Sequence, residues 1–146
     1  MKDPRNTVLA SQLLEWSIKI KPGETLYLEV KGSDALALGK EVLRLATEKG
    51  ATTFWFYNDD AITRQFVMHA NEAQMKRQAE LHMELMTRAD CYMGIRGSEN
   101  PFDMADVPHS QMENAIRRPL WSSASRISRY DASAFWVPCE HQSYLR

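Results

Sequence analysis

The chain has 146 residues, 44% hydrophobic and 25% charged, with eighteen basic against nineteen acidic side chains. That suits one globular domain with a real core and rules out a disordered, low-hydrophobicity chain. A net charge of −1 with no long block of one sign argues against nucleic-acid or membrane binding through bulk electrostatics. Two cysteines make no disulfide framework, the N-terminus lacks a signal-peptide pattern, and no apolar run reaches the ~20 residues of a membrane span, so the cytosol is the expected compartment.

Asn6-Thr7 is read as the cap of a first helix, with Val8, Leu9, Leu13, Trp16, Ile18 and Ile20 as its apolar set. Lys21-Pro22-Gly23-Glu24 stops it, and Thr25 to Val30 follows as a strand with Leu26, Leu28 and Val30 on one face. Gly32-Ser33-Asp34 supplies a turn and an N-cap for a helix from Ala35 to Lys49, which Gly50 ends. Ala51 to Tyr57, rich in β-branched and aromatic residues, is expected as a strand covered on both faces. Asn58-Asp59-Asp60 caps a helix near Ala61 to Ala70, and a further helix runs from Glu72 to Arg88 with Met75, Ala79, His82, Met83 and Met86 along one side. Asp90 to Ile95 is a third strand, followed by Arg96-Gly97-Ser98-Glu99-Asn100-Pro101. A last helix opens at Pro108-His109-Ser110 and runs to about Ser128, interrupted at Pro119.

Strands alternating with helices predict an α/β fold: a short, mainly parallel sheet with helices on both faces, in three layers. Right-handed crossovers then bring Lys31-Gly32-Ser33, Asn58-Asp59-Asp60 and Arg96 to Asn100 to one edge, at the carboxyl ends of the strands where open α/β sheets bind ligands.

The residues offer no complete catalytic set. His69, His82, His109 and His141 lack the paired spacing of a metal-binding helix, and Cys139-Glu140-His141 reads as a surface tail. His82 reads as a hydrogen-bonded core residue. No phosphate-binding glycine loop and no nucleophile elbow is present; Lys31-Gly32-Ser33-Asp34 is a capped loop, and Ser122, Ser123, Ser125 and Ser128 form a polar helix face. Arg117-Arg118, Arg126 and Arg129 are read as a solvated face, and Cys91 as a small buried hydrophobe. Asp59 and Asp60 are read as a helix cap, with a magnesium pocket as the alternative.

Four motifs in order carry a family likeness: Lys21-Pro22-Gly23-Glu24 between helix and strand, Glu48-Lys49-Gly50-Ala51 before the aromatic strand, Asp90 to Pro101 (DCYMGIRGSENP), and Arg117-Arg118-Pro119-Leu120. The IRGSENP stretch is the most specific, and KPGE alone is weak. Over roughly residues 7 to 128 the chain resembles the N-terminal domain of the aminopeptidase T / aminopeptidase S family, the thermophilic-type metallo-aminopeptidases. The resemblance implies dimeric two-domain peptidases that remove N-terminal amino acids with two divalent metals, cobalt or zinc. Such a pair polarises the scissile carbonyl and acidifies the attacking water. It places every metal ligand in a C-terminal domain and none in this chain, so no catalytic or metal residue is assigned here and the chain alone is expected to be inactive.

By the same likeness Arg96, Glu99 and Asn100 are candidates to face the active-site cleft; their other reading is loop hydrogen bonding before Pro101. Residues 129–146 depart from the family pattern, which sets 1–128 apart as the domain and suggests a gene interrupted near residue 125. A sheet edge left open there, near Phe135 and Trp136, favours self-association. A stand-alone binding module that kept the scaffold without the chemistry is the alternative reading.

Overall fold

The computed structural model describes residues 3–97, 105–117 and 137–138. Its elements are α1 (Pro4–Gln12), extended by a π-helical turn Leu13–Ser17, then β1 (Thr25–Lys31), a 3-10 turn Ser33–Ala35, α2 (Leu36–Glu48) and β2 (Thr52–Asn58). These are followed by α3 (Asp60–His69), α4 (Glu72–Met86), β3 (Cys91–Arg96), α5 (His109–Arg117) and β4 (Val137–Pro138). The strands form one parallel sheet in the order β2-β1-β3-β4. The expected α/β class and mainly parallel sheet are both present.

The topology follows from the crossovers. The chain steps from β1 to β2 through α2, then back past β1 to β3 through α3 and α4. Right-handed connections running in opposite directions must lie on opposite faces. One face of the sheet is therefore aliphatic. Leu26, Leu28 and Val30 of β1 join Cys91, Met93 and Ile95 of β3 in a core closed by Ala10, Leu13 and Leu14 of the first helical segment and by Leu38, Val42 and Ala46 of α2. Each large side chain buried there contributes roughly 1.5–3 kcal/mol. Helix α2 lies so close to β1 that a Cβ at Gly39 would stand 2.6 Å from a Val30 methyl. The opposite face carries the odd-numbered side chains of β1 and receives α4, while Val67 of α3, Ala70 just after it, Met75 of α4 and Val107 build a second, smaller core with Met112 of α5 packed on it.

Several local expectations are corrected. The first helix begins two residues earlier than Asn6: the Asp3 carboxylate accepts from the Arg5 amide, and Pro4 at the first helical position presets the backbone angle. Thr7 instead donates to Glu41 Oε2 (3.1 Å), tying α1 to α2. The π-helical turn, closed by Ile18 N donating to Leu13 O, adds a residue to the turn and swings Trp16 off the core stripe to 76% exposure. No side-chain cap closes the entry to α2; the tight turn at Ser33–Ala35 does that job, after Gly32 at φ +83°. Asp59 does cap α3 through the Ala61 amide (2.8 Å), and Asn71 forms a capping box with Gln74 at the start of α4.

The largest correction concerns β2. A strand covered on both faces was expected, yet β2 lies at the edge of the sheet and leaves Phe54, Trp55 and Tyr57 exposed. An apolar run does not distinguish a central strand from an aromatic edge. The helix expected to Ser128 is described as far as Arg117. Residues 118–136, with the Arg118, Arg126, Arg129 and serine positions and Phe135 and Trp136, and the Cys139-Glu140-His141 tail lie outside the described residues, as does the residue-125 junction. Val137 and Pro138 pair with Ile95 and Arg96 on the far side of β3.

Candidate functional site

The parallel register makes neighbours of residues at equal height. Tyr27 stands between Phe54 and Tyr92, Glu29 between Phe56 and Gly94, and Lys31 between Asn58 and Arg96. All nine project to the α4 face, because side chains alternate along a strand. The face is thus graded: aromatic at the amino ends, polar and charged at the carboxyl ends.

At the aromatic end, Tyr27 stacks on Phe56 and Tyr92 with ring centroids 5.2 and 5.8 Å apart, and His82 of α4 meets it edge-on. The Tyr27 hydroxyl and His82 Nε2 share a 2.5 Å hydrogen bond. Burial lowers the His82 pKa, against a smaller opposing pull from Glu29. Burial likewise raises the Tyr27 phenol, helped by Glu29. His82 is therefore a hydrogen-bonded histidine of the sheet–helix interface.

At the polar end, Glu29 is the hub. Its Oε2 accepts from the Tyr92 hydroxyl (2.7 Å) and its Oε1 from Asn58 Nδ2 (3.0 Å). The Tyr92 phenol also bonds the half-buried Arg96, whose guanidinium feels Glu29 and Asp60 as well; desolvation nonetheless outweighs these and lowers the Arg96 pKa. An arginine keeps its charge through such a change. Lys31 Nζ lies 2.6 Å from Asp60 Oδ1, each side chain only 13% exposed. Two cations in adjacent strands are thus interleaved with two carboxylates. Tyr92 reaches Glu29 because Gly94, next on the same face, leaves room: a Cβ there would sit 2.8 Å from the phenol oxygen. At Gly97 a Cβ would stand 2.8 Å from the Ala35 amide nitrogen, so only glycine lets the end of β3 run against the Ser33–Ala35 turn.

Arg96 is the sequence-predicted cleft residue that the described structure places, at the carboxyl end of β3 beside Lys31. Glu99 and Asn100 lie outside the described residues. Sequence reasoning missed Glu29 and Tyr92; it brought Asn58 to the strand-end edge but not its bond to Glu29. Alternation along TLYLEVK was the available signal for Glu29, since a carboxylate two residues from a buried tyrosine on the same face needs donors from both neighbouring strands.

A model of the family described as thermophilic metalloprotease (M29) matches residues 3–136. The chain belongs to the M29 metalloproteases. Among solved structures, wild-type AmpT from Thermus thermophilus matches with a TM-score of 0.60 at 16% sequence identity. The match covers 79% of this chain but 30% of the AmpT chain, so this M29 chain spans less than a third of that structure's length. At that identity the likeness speaks to fold. A search of curated proteins finds no match.

An M29 enzyme is metal-dependent, so the donors present must be tested against a metal centre. Among the described residues no three His, Cys, Asp or Glu side chains converge. Asp59 is spent on the α3 cap, Asp60 on Lys31, Glu29 on Tyr92 and Asn58, and His82 on Tyr27. A two-metal centre needs several carboxylate and imidazole donors aimed at one point about 2 Å away. This set does not fit one, nor does the magnesium pocket considered for Asp59 and Asp60. Among the described residues, no helix is long and apolar enough to cross a membrane.

Proposed function

We propose that this chain acts as the non-catalytic N-terminal domain of an intracellular metal-dependent aminopeptidase, in which its strand ends form one wall of the peptide-binding cleft. The observation that carries the reading is a family match spanning residues 3–136 on a chain whose structural match covers 30% of the AmpT chain. The engaged donors at the strand ends support it, because they form a rigid polar surface and not a reaction centre. The two divalent ions that the family resemblance implies, cobalt or zinc, would then be held by the rest of the enzyme, and peptide would be bound only in its presence.

In this role Arg96, braced by Tyr92 and Glu29, presents a fixed cation toward the cleft, and Glu99 and Asn100, which follow it in sequence, are assigned to the same wall. A braced guanidinium loses little side-chain entropy when it meets a substrate carbonyl or carboxylate. Two assays test the reading. The purified chain, given an aminoacyl-nitroanilide with cobalt or zinc, should show no metal-dependent turnover; clear turnover would overturn it. In an M29 enzyme carrying this domain, Arg96→Ala should raise KM about 3- to 10-fold with kcat little changed, since a wall residue supplies binding and not chemistry. A fall in kcat at constant KM would count against a wall position.

A further inference from the structure

We propose that the outer edge of β2 is a peptide-binding site that takes an extended, uncharged, apolar segment as an added strand. Three properties of β2 specify this ligand, and the first is its main chain. The Thr52 amide donates to Glu24 O and Asn58 O accepts from Gly32 N, both at 2.9 Å and both on the β1 side. Backbone groups alternate along a strand, so Thr52, Phe54, Phe56 and Asn58 address β1 while Thr53, Trp55 and Tyr57 turn their N–H and C=O groups outward. Among the described residues nothing pairs with that outer edge. A row of this kind is satisfied along its length by another extended main chain.

The second property is the pair of surfaces beside the row. On the α4 face stand Phe54 and Phe56, their rings edge-on with centroids 4.9 Å apart, and Phe56 stacks in turn on Tyr27. On the α2 face stand Trp55 and Tyr57, level with Leu28 and Val30 of β1. An added antiparallel strand sets three residues opposite Thr53, Trp55 and Tyr57 in hydrogen-bonded pairs, with their side chains on the α2 face. Its intervening residues lie beside Phe54 and Phe56 on the other face, so both of its sides meet aromatic rings. The segment TTFWFYN carries no charge, and a charged ligand side chain would be desolvated against it without a counter-charge from the strand. β-Branched and aromatic side chains suit both faces, while proline at a paired position lacks the N–H to donate.

The third property is area. Phe54, Trp55 and Tyr57 are 43%, 61% and 46% exposed. Rings of this kind bury about 150–250 Å² when fully covered, so roughly 300 Å² stays open on the three. With an equal face on the ligand and the main chain of both strands, the contact totals roughly 800 Å². That falls short of the ~1,000 Å² that a specific interface between folded proteins should clear. The occupant is therefore a short segment no longer than the seven residues of β2. The edge runs along the side of the sheet and not across its strand ends, so the site does not rest on the peptidase reading.

Titration of the full chain with the blocked peptide acetyl-TVFVYVT-amide tests this, read by the amide resonances of β2. Its acetylated amino terminus keeps it from being an aminopeptidase substrate. It should bind with a Kd of about 0.1–1 mM and shift the Thr53, Trp55 and Tyr57 amides most. Methylating the peptide's backbone nitrogens one at a time should weaken binding about tenfold at one alternate set of residues and less than about twofold at the other, because only every second N–H faces β2. Trp55→Lys should weaken binding about tenfold, whereas Trp16→Lys, also exposed but on the first helical segment, should leave it unchanged. Absence of saturable binding, an equal loss at every methylated position, indifference to Trp55→Lys, or sedimentation as a dimer that the peptide does not disperse overturns the inference.

Discussion

Removing the Tyr92 hydroxyl tests whether Glu29 is the hub that organises the strand ends. Tyr92→Phe deletes one donor to a carboxylate oxygen at 2.7 Å and leaves the ring stacked on Tyr27. A hydrogen bond to a charged group is worth about 1.5–3 kcal/mol, and with the residue half-buried the lower half of that range applies. Gly94→Ala attacks the same bond from the other side, since the new methyl would stand 2.8 Å from the phenol oxygen and displace it. Against that loss, alanine in a strand recovers ~0.5–1 kcal/mol of backbone entropy. Tyr92→Phe should therefore lose about 1.5–2 kcal/mol and Gly94→Ala, after the entropy gain, about 0.5–1.5 kcal/mol. The double variant should lose about 1.5–2 kcal/mol less than the sum, because the second change finds no bond left to break. Urea unfolding followed by circular dichroism, at constant m-value, supplies the cycle. Additive losses, or a neutral Tyr92→Phe, would show that the phenol does not hold Glu29 in place.

Three further outcomes follow from the same packing. Gly97→Ala pushes a methyl against backbone at Ala35 and should cost about 1–3 kcal/mol, read as a lowered thermal midpoint. Folding depresses the His82 pKa, so below about pH 6.5 the unfolded chain binds the proton more readily than the native one. Stability should fall as the pH drops from there through the lower native value, and His82→Gln should flatten that part of the profile. Burial pushes the Cys91 thiol up to about 12, so in Cys139→Ser protein a thiol reagent at pH 8 should label Cys91 only on unfolding; fast labelling of native protein would contradict its burial.

The alternation of helices and strands was legible because it rests on periodicity, and so were the strand ends as the place where polar groups gather. Leu26, Leu28 and Val30 share the core face as their spacing requires, and the Asp59 cap lies where it was read. What was not legible depends on which strand lies beside which. ATTFWFY has the composition of a buried strand; only the order β2-β1-β3 makes it an edge. Trp16 belongs to an apolar stripe until one extra residue in the turn rotates it outward. The Glu29 network was hidden for the same reason: its donors come from residues 29 and 63 positions away, brought together by register and not by any local motif.

The two faces of β1 show why such a site can be built at modest cost. Leu26, Leu28 and Val30 point into an aliphatic core, while Tyr27, Glu29 and Lys31 point the other way, so one short strand serves both stability and a polar surface. Desolvating Glu29 and Lys31 would be costly for either alone. Here each opposing group arrives from a different element: Asn58 from β2, Asp60 from α3, Tyr92 and Arg96 from β3. The network is complete only when both crossovers have closed, which ties the order of the strand ends to the folding of the whole sheet. If the proposed wall role of Arg96 holds, loosening one member of the network, such as Tyr92, should be felt as a change in substrate binding before any change in the reaction itself.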